Sequence, residues 1–210
     1  MIKFYTIGSG GRLMSCVGIC LWLLEEINKP YEVVRVDLDK MEHKSEEYLK
    51  LNPNGKVPTL VDNDFVIWES IAINYYLSRK YYKELLGTSI EEHGIIDQWI
   101  AWTVSEFEPH VVNIFKHAML PPSQKNPAYV EMCKMNIMKY SNILEKILNN
   151  KTYLVSNKFS LADMTASAFF SIHNVLHTDL SLFPNIGRWL NLCLNRPALS
   201  RAKQKNLVIF

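Results

Sequence analysis

The sequence has little excess charge of either sign, no long apolar run and no paired-cysteine motif, and each absence narrows what the chain can be. Lysine and arginine number 23 against 21 aspartates and glutamates, a formal net charge of +2 with neutral histidines. So small an excess does not supply the electrostatics of a nucleic-acid binder or of a protein drawn to an anionic bilayer. The longest apolar stretch runs only from Cys16 to Leu24, counting Gly18, and Glu25 and Glu26 follow at once. A bilayer span takes about 20 apolar residues, so no transmembrane helix is expected. The N-terminus lacks the ordered basic, apolar and small-residue regions of a secretory leader. The 4 cysteines, at positions 16, 20, 133 and 193, form no CxxC pair and no Cys/His ligand spacing. In a chain of 210 residues that usage predicts thiols rather than a disulfide framework, and with it a reducing, cytoplasmic setting. His173 and His177 stand one helical turn apart, but no HExxH arrangement and no third ligand accompany them, so no metal site is expected. Gly8 and Gly10 alone are too short for a dinucleotide-binding fingerprint. No internal repeat and no low-complexity segment occurs.

What is present is an ordinary globular composition, 48% hydrophobic and 21% charged, with two differently patterned halves. The first 80 or so residues alternate strand and helix signals. Ile2 to Ile7 reads as a strand, broken by Gly8, Gly10 and Gly11. Ser15 to Ile27 has apolar residues at helical spacing. Glu25 and Glu26, at the end of that helix where the dipole disfavours them, are expected in solvent. Tyr31 to Val36 is a second strand and Ser45 to Leu51 a short helix. Thr59 to Val61 and Phe65 to Trp68, joined by Asp62-Asn63-Asp64, predict an antiparallel hairpin. A helix from Glu69 to about Tyr82 follows. The order βαβ then ββα makes the first two strands parallel and gives a four-stranded mixed sheet with helices on it.

After Lys83 the pattern is helical almost throughout. Trp99, Trp102, Val104 and Phe107 belong to one long helix, and Pro121, Pro122 and Pro127 mark its exit. Tyr129 to Leu148 is a second amphipathic helix. Ser160-Leu161-Ala162-Asp163 predicts a capping box, and a last helix begins after Pro184. The fold class is therefore α/β plus all-α. The boundary falls near Leu86 to Ser89, with residues 1–84 forming one domain and 89–210 an all-helical one.

The chemistry concentrates in Asn52-Pro53-Asn54-Gly55-Lys56-Val57-Pro58 and in Glu69-Ser70. A cis Val57–Pro58 bond would turn the main-chain groups of Val57 outward, where an extended peptide could pair with them as an added strand. Ser70 at a helix start suits a carboxylate, and Glu69 beside it suits an ammonium group. Together they describe a site for the α-amino-acid end of a peptide.

These stretches resemble the glutathione transferase family, most closely its phi-class, serine-type members. Pro30-Tyr31-Glu32-Val33-Val34, Glu42-His43-Lys44-Ser45, Asn52 to Leu60, Glu69 to Leu77, Phe159 to Asp163 and Phe183 to Ala198 carry the resemblance, which spans nearly the whole chain. It implies a thioredoxin-like N-terminal domain, a C-terminal helical bundle, a cytosolic homodimer and glutathione as co-substrate, with no metal. By the same resemblance Val57 pairs with the cysteinyl part of glutathione, Glu69 and Ser70 hold the γ-glutamyl end, and His43, Lys44 and Lys56 lie where the glycyl carboxylate binds.

Such an enzyme must convert a thiol of pKa about 8.5 into a thiolate near pH 7. A hydroxyl donating to the sulfur at a helix N-terminus does this, and the resemblance implies Ser15 in that role. The family's commonest spacing, counted back from Glu25, lands on Met14, so Ser15 needs a one-residue deletion relative to it. Cys16 (as the thiol of a cysteine-type glutathione-dependent transferase), Ser9 and Tyr5 remain alternatives. The second substrate is expected to be an apolar electrophile between the domains, along the helix bearing Trp102, Phe107, Val111, Phe115 and Met119. The same fold also serves as a non-catalytic assembly module, as in the gamma subunit of the translation elongation factor, and that alternative stays open.

Overall fold

A computed structural model describes residues 1–7 and 11–209. By packing, the chain divides into two units: Met1–Glu84 together with the chain from Asn195 onward, and Leu85–Leu194.

The first unit is built on a four-stranded sheet of order β3-β1-β4-β5. Strand β1 (Ile2–Ile7) runs parallel to β3 (Tyr31–Val36) and antiparallel to β4 (Thr59–Asp62), which pairs in turn with β5 (Phe65–Trp68). The expected crossover and hairpin are both present. A short pair, β2 (Gly11–Arg12) with β6 (Val208–Ile209), lies apart from this sheet. Ile2, Phe4 and Thr6 of β1 are buried while Lys3, Tyr5 and Ile7 are half-covered, the period-2 alternation of a strand with two unequal faces. Helix α1 (Cys16–Ile27) is buried continuously from Val17 to Glu25. An all-round apolar helix this short is a core helix, which accounts for the apolar run without a membrane. Ser15 caps it and Asn28, at φ 54°, ends it in the left-handed conformation. Helices α2 (Glu46–Leu51) and α3 (Ser70–Tyr81) complete this part. Asp62 locks the hairpin to α3: its buried carboxylate accepts from Tyr76 at 2.8 Å, Lys80 at 2.6 Å and Tyr81 at 2.6 Å. Burial alone would raise its pKa, but these three donors hold it below the usual carboxylate value.

Glu25 and Glu26 are not in solvent as expected. Glu25 is 2% exposed, hydrogen-bonded to Tyr31 at 2.7 Å and paired with Lys205 at 2.8 Å; Glu26 makes a two-point pair with Arg196 at 2.6 and 2.9 Å. The partners come from the end of the chain, where α10 (Pro197–Gln204) packs on α1. For the same reason the residues from Asn195 onward, assigned from sequence to the helical domain, pack with the first unit instead.

The second unit is helical. A continuous run consists of α4 (Ile90–Trp102), a π-helical turn (Thr103–Phe107) and α5 (Glu108–Met119). Pro109 explains the widened turn. It has no N–H to give to the carbonyl four residues back, and its ring crowds that carbonyl. The ladder shifts to an i→i−5 bond from the Glu108 N–H to the Thr103 carbonyl. Then come α6 (Pro127–Ile147), α7 (Leu161–Phe170), α8 (Ile172–Val175) and α9 (Pro184–Leu194). The Ser160–Asp163 capping box is formed. Asp163 does more than cap: its buried carboxylate also accepts from the Leu154 N–H at 2.8 Å and the Trp189 indole at 2.9 Å.

Candidate functional site

Strand register brings four separate stretches of sequence to one end of the sheet. Thr59 pairs with Trp68, so the residues just before β4 (Val57, Pro58) and just after β5 (Glu69, Ser70) leave from the same end. Tyr5 also pairs with Thr59, which puts the C-terminal end of β1, and the chain leading into α1, at that end. Ile7 pairs with Val36 in parallel, so the segment with His43 and Lys44 departs there too. In α/β sheets such an end is where loops converge on a ligand.

The loop before β4 is held from inside. The Asn52 side chain, 3% exposed, donates to the Lys56 carbonyl at 2.8 Å and to the Thr59 hydroxyl at 3.2 Å, and accepts from the Asn54 N–H at 3.0 Å. The Tyr48 hydroxyl donates to the same Lys56 carbonyl at 2.7 Å and lies 2.9 Å from the Thr59 hydroxyl; burial raises its pKa. With the Lys56 carbonyl drawn inward, the next residue faces out. The Val57–Pro58 bond is cis, the condition under which the motif presents the main chain of Val57. Among the described residues none pairs with the main-chain N–H or C=O of Val57.

Gly55 braces this loop against the turn Glu42–Lys44. Its φ is +57°, and a Cβ there would stand 2.7 Å from both the His43 carbonyl and the Lys44 ammonium nitrogen. Only glycine tolerates both constraints. Lys44 reaches the Asn54 carbonyl at 3.3 Å, and the His43 Nδ1 is buried without a hydrogen-bond partner. His43 and Lys44 thus lie against the loop that carries Lys56.

Glu69 sits at φ 70°, a left-handed conformation costing about 1–3 kcal/mol in a residue with a Cβ and concentrated at functional positions. Its side chain does not cap α3. The first N–H groups of α3, at Ser70, Ile71 and Ala72, are therefore left for a ligand or water. Ser70 itself is 6% exposed and Glu69 is exposed.

Ser15 caps α1: its hydroxyl accepts from the Gly18 N–H at 3.1 Å and donates to the Arg12 carbonyl at 2.6 Å. Cys16 next to it is exposed, while Cys20, Cys133 and Cys193 are buried. Burial, aided by the proximity of Cys16, pushes the Cys20 thiol up. Tyr5 points to the other face of the sheet from Phe4. Its ring stands edge-on to Tyr48 at 5.9 Å, in a groove of about 360 Å³ with Val34, Arg35 and Leu51. Strand alternation thus separates Tyr5 from the face on which α1 packs. Ser9 lies outside the described residues.

The model of the glutathione S-transferase N-terminal domain matches residues 10–79, and that of the C-terminal domain residues 107–197. Glutathione S-transferase 4 of Zea mays is 30% identical over 203 residues, 93% of this chain and 90% of that protein. The chain belongs to the glutathione S-transferase family. Glutathione S-transferase F10 of Arabidopsis thaliana is 35% identical over 152 residues, 70% of this chain and 71% of that protein. A solved structure, glutathione S-transferase-I bound with the ligand lactoylglutathione, superposes with a TM-score of 0.85 at 27% identity, covering 97% of this chain and 99% of that one.

Of the five apolar residues on the helix expected beside the electrophile, two belong to the core, the commoner place for apolar residues at helical spacing. Phe107 is wholly buried with its ring 3.8 Å from that of Phe170, and Val111 is wholly buried in the same helical unit. Met119 of the same set is 79% exposed. The positioning residues Asn52, Tyr48, Thr59 and Asp62 were not singled out from sequence. Asn52 could have been, since Asn-Pro-Asn-Gly ahead of a strand calls for a side chain that closes the turn.

Proposed function

We propose that this protein conjugates glutathione to an apolar electrophile by a serine-type mechanism. Val57 pairs its main chain with the cysteinyl residue of glutathione, as an added strand. The N-terminus of α3 with Ser70 receives the γ-glutamyl carboxylate and Glu69 the ammonium group. His43, Lys44 and Lys56 receive the glycyl carboxylate. The ligand's two carboxylates and one ammonium match this charge pattern. What carries the reading is the meeting, at one sheet end, of an unpaired main chain at Val57, an uncapped helix start at Ser70 and a hydroxyl at Ser15.

In the resting state the Ser15 proton is engaged by the Arg12 carbonyl. To stabilise a thiolate the hydroxyl rotates and donates to sulfur, while the Gly18 N–H keeps hold of Oγ. The thiol proton passes to solvent. Lowering the thiol pKa by about 2 units requires roughly 2.7 kcal/mol and raises the thiolate fraction at pH 7 from about 3% to about three quarters. The thiolate then forms a C–S bond with the electrophilic carbon. A leaving group departs with its electron pair, or an addition product takes a proton from water. Holding the two reactants together supplies much of the acceleration. The working form is a homodimer in the cytoplasm, as the family resemblance implies.

An ultraviolet pH titration of the protein with glutathione tests this. A bound thiol ionising well below free glutathione, shifted back by Ser15→Ala with binding retained, supports the mechanism. Full activity in Ser15→Ala with loss in Cys16→Ala would replace it by a cysteine mechanism, for which the exposure of Cys16 at the first residue of α1 is the pertinent observation.

A further inference from the structure

The C-terminal arm grips α1 at both ends. At the far end, Arg196 holds Glu26, Lys205 holds Glu25, and Arg201 donates to the Glu25 carbonyl at 2.6 Å. At the near end the chain turns back after α10, with the Leu207 N–H on the Ala202 carbonyl at 2.9 Å, and joins the loop that enters α1. The Gly11 N–H donates to the Leu207 carbonyl at 3.0 Å, and β6 pairs with β2, Gly11 beside Val208 and Arg12 beside Ile209. Val208 is 2% exposed, so this is a packed joint and not a surface tail.

The loop between is pressed directly on α1. A Cβ at Gly18 would lie 2.1 Å from the Arg12 carbonyl oxygen and 2.7 Å from that of Leu13, and a Cβ at Gly11 would lie 2.9 Å from Val17 Cγ1. Two glycines therefore let the backbone of residues 11–13 lie against the first turn of the helix. Leu13 and Met14 are buried beneath it. The Arg12 carbonyl lies against α1, one residue beyond the Gly11 N–H that the C-terminal strand holds, and is the acceptor of the Ser15 hydroxyl at 2.6 Å.

We propose that the C-terminal strand, Leu207 to Ile209, is a positioning element for Ser15. By holding Gly11 it holds the loop and the Arg12 carbonyl against α1, and with them the place of the Ser15 Oγ, so that only the hydroxyl proton has to turn toward sulfur. A donor atom already in place needs little reorganisation when charge develops. The strand packs with β2, α1 and α10, elements that carry none of the groups assigned to glutathione, so its influence falls on thiol ionisation and not on binding. The inference rests on Ser15 as the activating hydroxyl, and the test separates the two.

The thiol pKa of bound glutathione and the KM for glutathione are measured in the full chain, in Val208→Asp, in a chain ending at Asn206, in Arg196→Gln and in Ser15→Ala. In Val208→Asp and the shortened chain the expected result is a pKa about 1 unit higher, read as a roughly tenfold loss of kcat/KM below that pKa, with KM within about twofold. Arg196→Gln, which loosens only the far end of α1, is expected to lower Tm and leave the pKa alone. If Ser15→Ala moves the pKa but neither strand variant does, the strand has no positioning role while Ser15 keeps its own. An equal shift in Arg196→Gln, or a further shift when Val208→Asp is added to Ser15→Ala, also overturns the proposal, because the effect would then not pass through Ser15. If Ser15→Ala leaves the pKa unmoved, the serine assignment and the strand's role fall together.

Discussion

Replacing Asn52 by alanine is the sharpest probe of how the loop before β4 is held. The side chain makes two donated bonds, to the Lys56 carbonyl and the Thr59 hydroxyl, and accepts from the Asn54 main-chain and side-chain nitrogens. Each neutral bond contributes about 0.5–1.5 kcal/mol net, and a buried group left unpaired adds its own penalty. The Lys56 carbonyl and Thr59 hydroxyl keep Tyr48, so they are not orphaned. The Asn54 nitrogens can turn to water, since Asn54 is exposed. The sum is about 3 kcal/mol. For a chain of this size that lowers Tm by about 6–12 °C if the loop unfolds with the whole. If it opens locally, the same energy appears as a rise of about two orders of magnitude in the KM for glutathione with little change in Tm. Tyr48→Phe, which takes a donor from the Lys56 carbonyl and an acceptor from the Thr59 hydroxyl, is worth about 1 kcal/mol alone. In the double variant the losses exceed their sum, because the Lys56 carbonyl and Thr59 hydroxyl then lose both partners. Calorimetry and glutathione saturation curves on the four proteins decide it. A Tm within 2 °C or so of the parent together with an unchanged KM in Asn52→Ala would refute the idea that this network holds the loop.

Burial lowers the His173 imidazole from 6.5 to about 4, with its nitrogens on Ser141 at 2.8 Å and Thr178 at 3.0 Å. The unfolded chain therefore binds the proton first, and stability is lost as pH falls from about 6.5 to 4, by about 1.4 kcal/mol per unit at most. Denaturant melts against pH should show this slope, flattened in His173→Gln. Asp163→Ala strands the Leu154 amide and the Trp189 indole in the core and should cost about 3–5 kcal/mol, read as loss of soluble protein or a collapsed denaturation midpoint. Gly55→Ala forces a side chain into the left-handed region against the His43 carbonyl; it should weaken glutathione binding by at least tenfold, about 1.4 kcal/mol, in isothermal titration while leaving α1 and its thiols unchanged in labelling rate.

Much of the site was legible because it lies in contiguous stretches whose residue types have narrow uses. Proline before a strand, glycine in an Asn-Pro-Asn-Gly turn and Glu-Ser at a helix start each restrict the backbone locally. Their joint spacing across a hairpin then puts them at one sheet end through pairing alone. Glu25 and Glu26 were misjudged for the opposite reason. Their partners Arg196, Arg201 and Lys205 lie at the far end of the chain, and no local pattern announces an ion pair across that separation. The π-helical turn before Pro109 was local but hidden, since helical periodicity survives one extra residue in a turn.

Alternation of apolar residues and the positions of glycine and proline determined the two-part architecture, the mixed sheet, the hairpin and the capping box, because each depends on interactions within a few residues or between neighbouring strands. Tertiary structure decided what depends on which surfaces meet. It turned Tyr5 toward α2, buried Phe107 and Val111 in a core, returned the C-terminal arm to α1, and set the Arg12 carbonyl on the Ser15 hydroxyl. Those outcomes follow from long-range packing, whose energy is shared among many side chains and is written at no single position of the sequence.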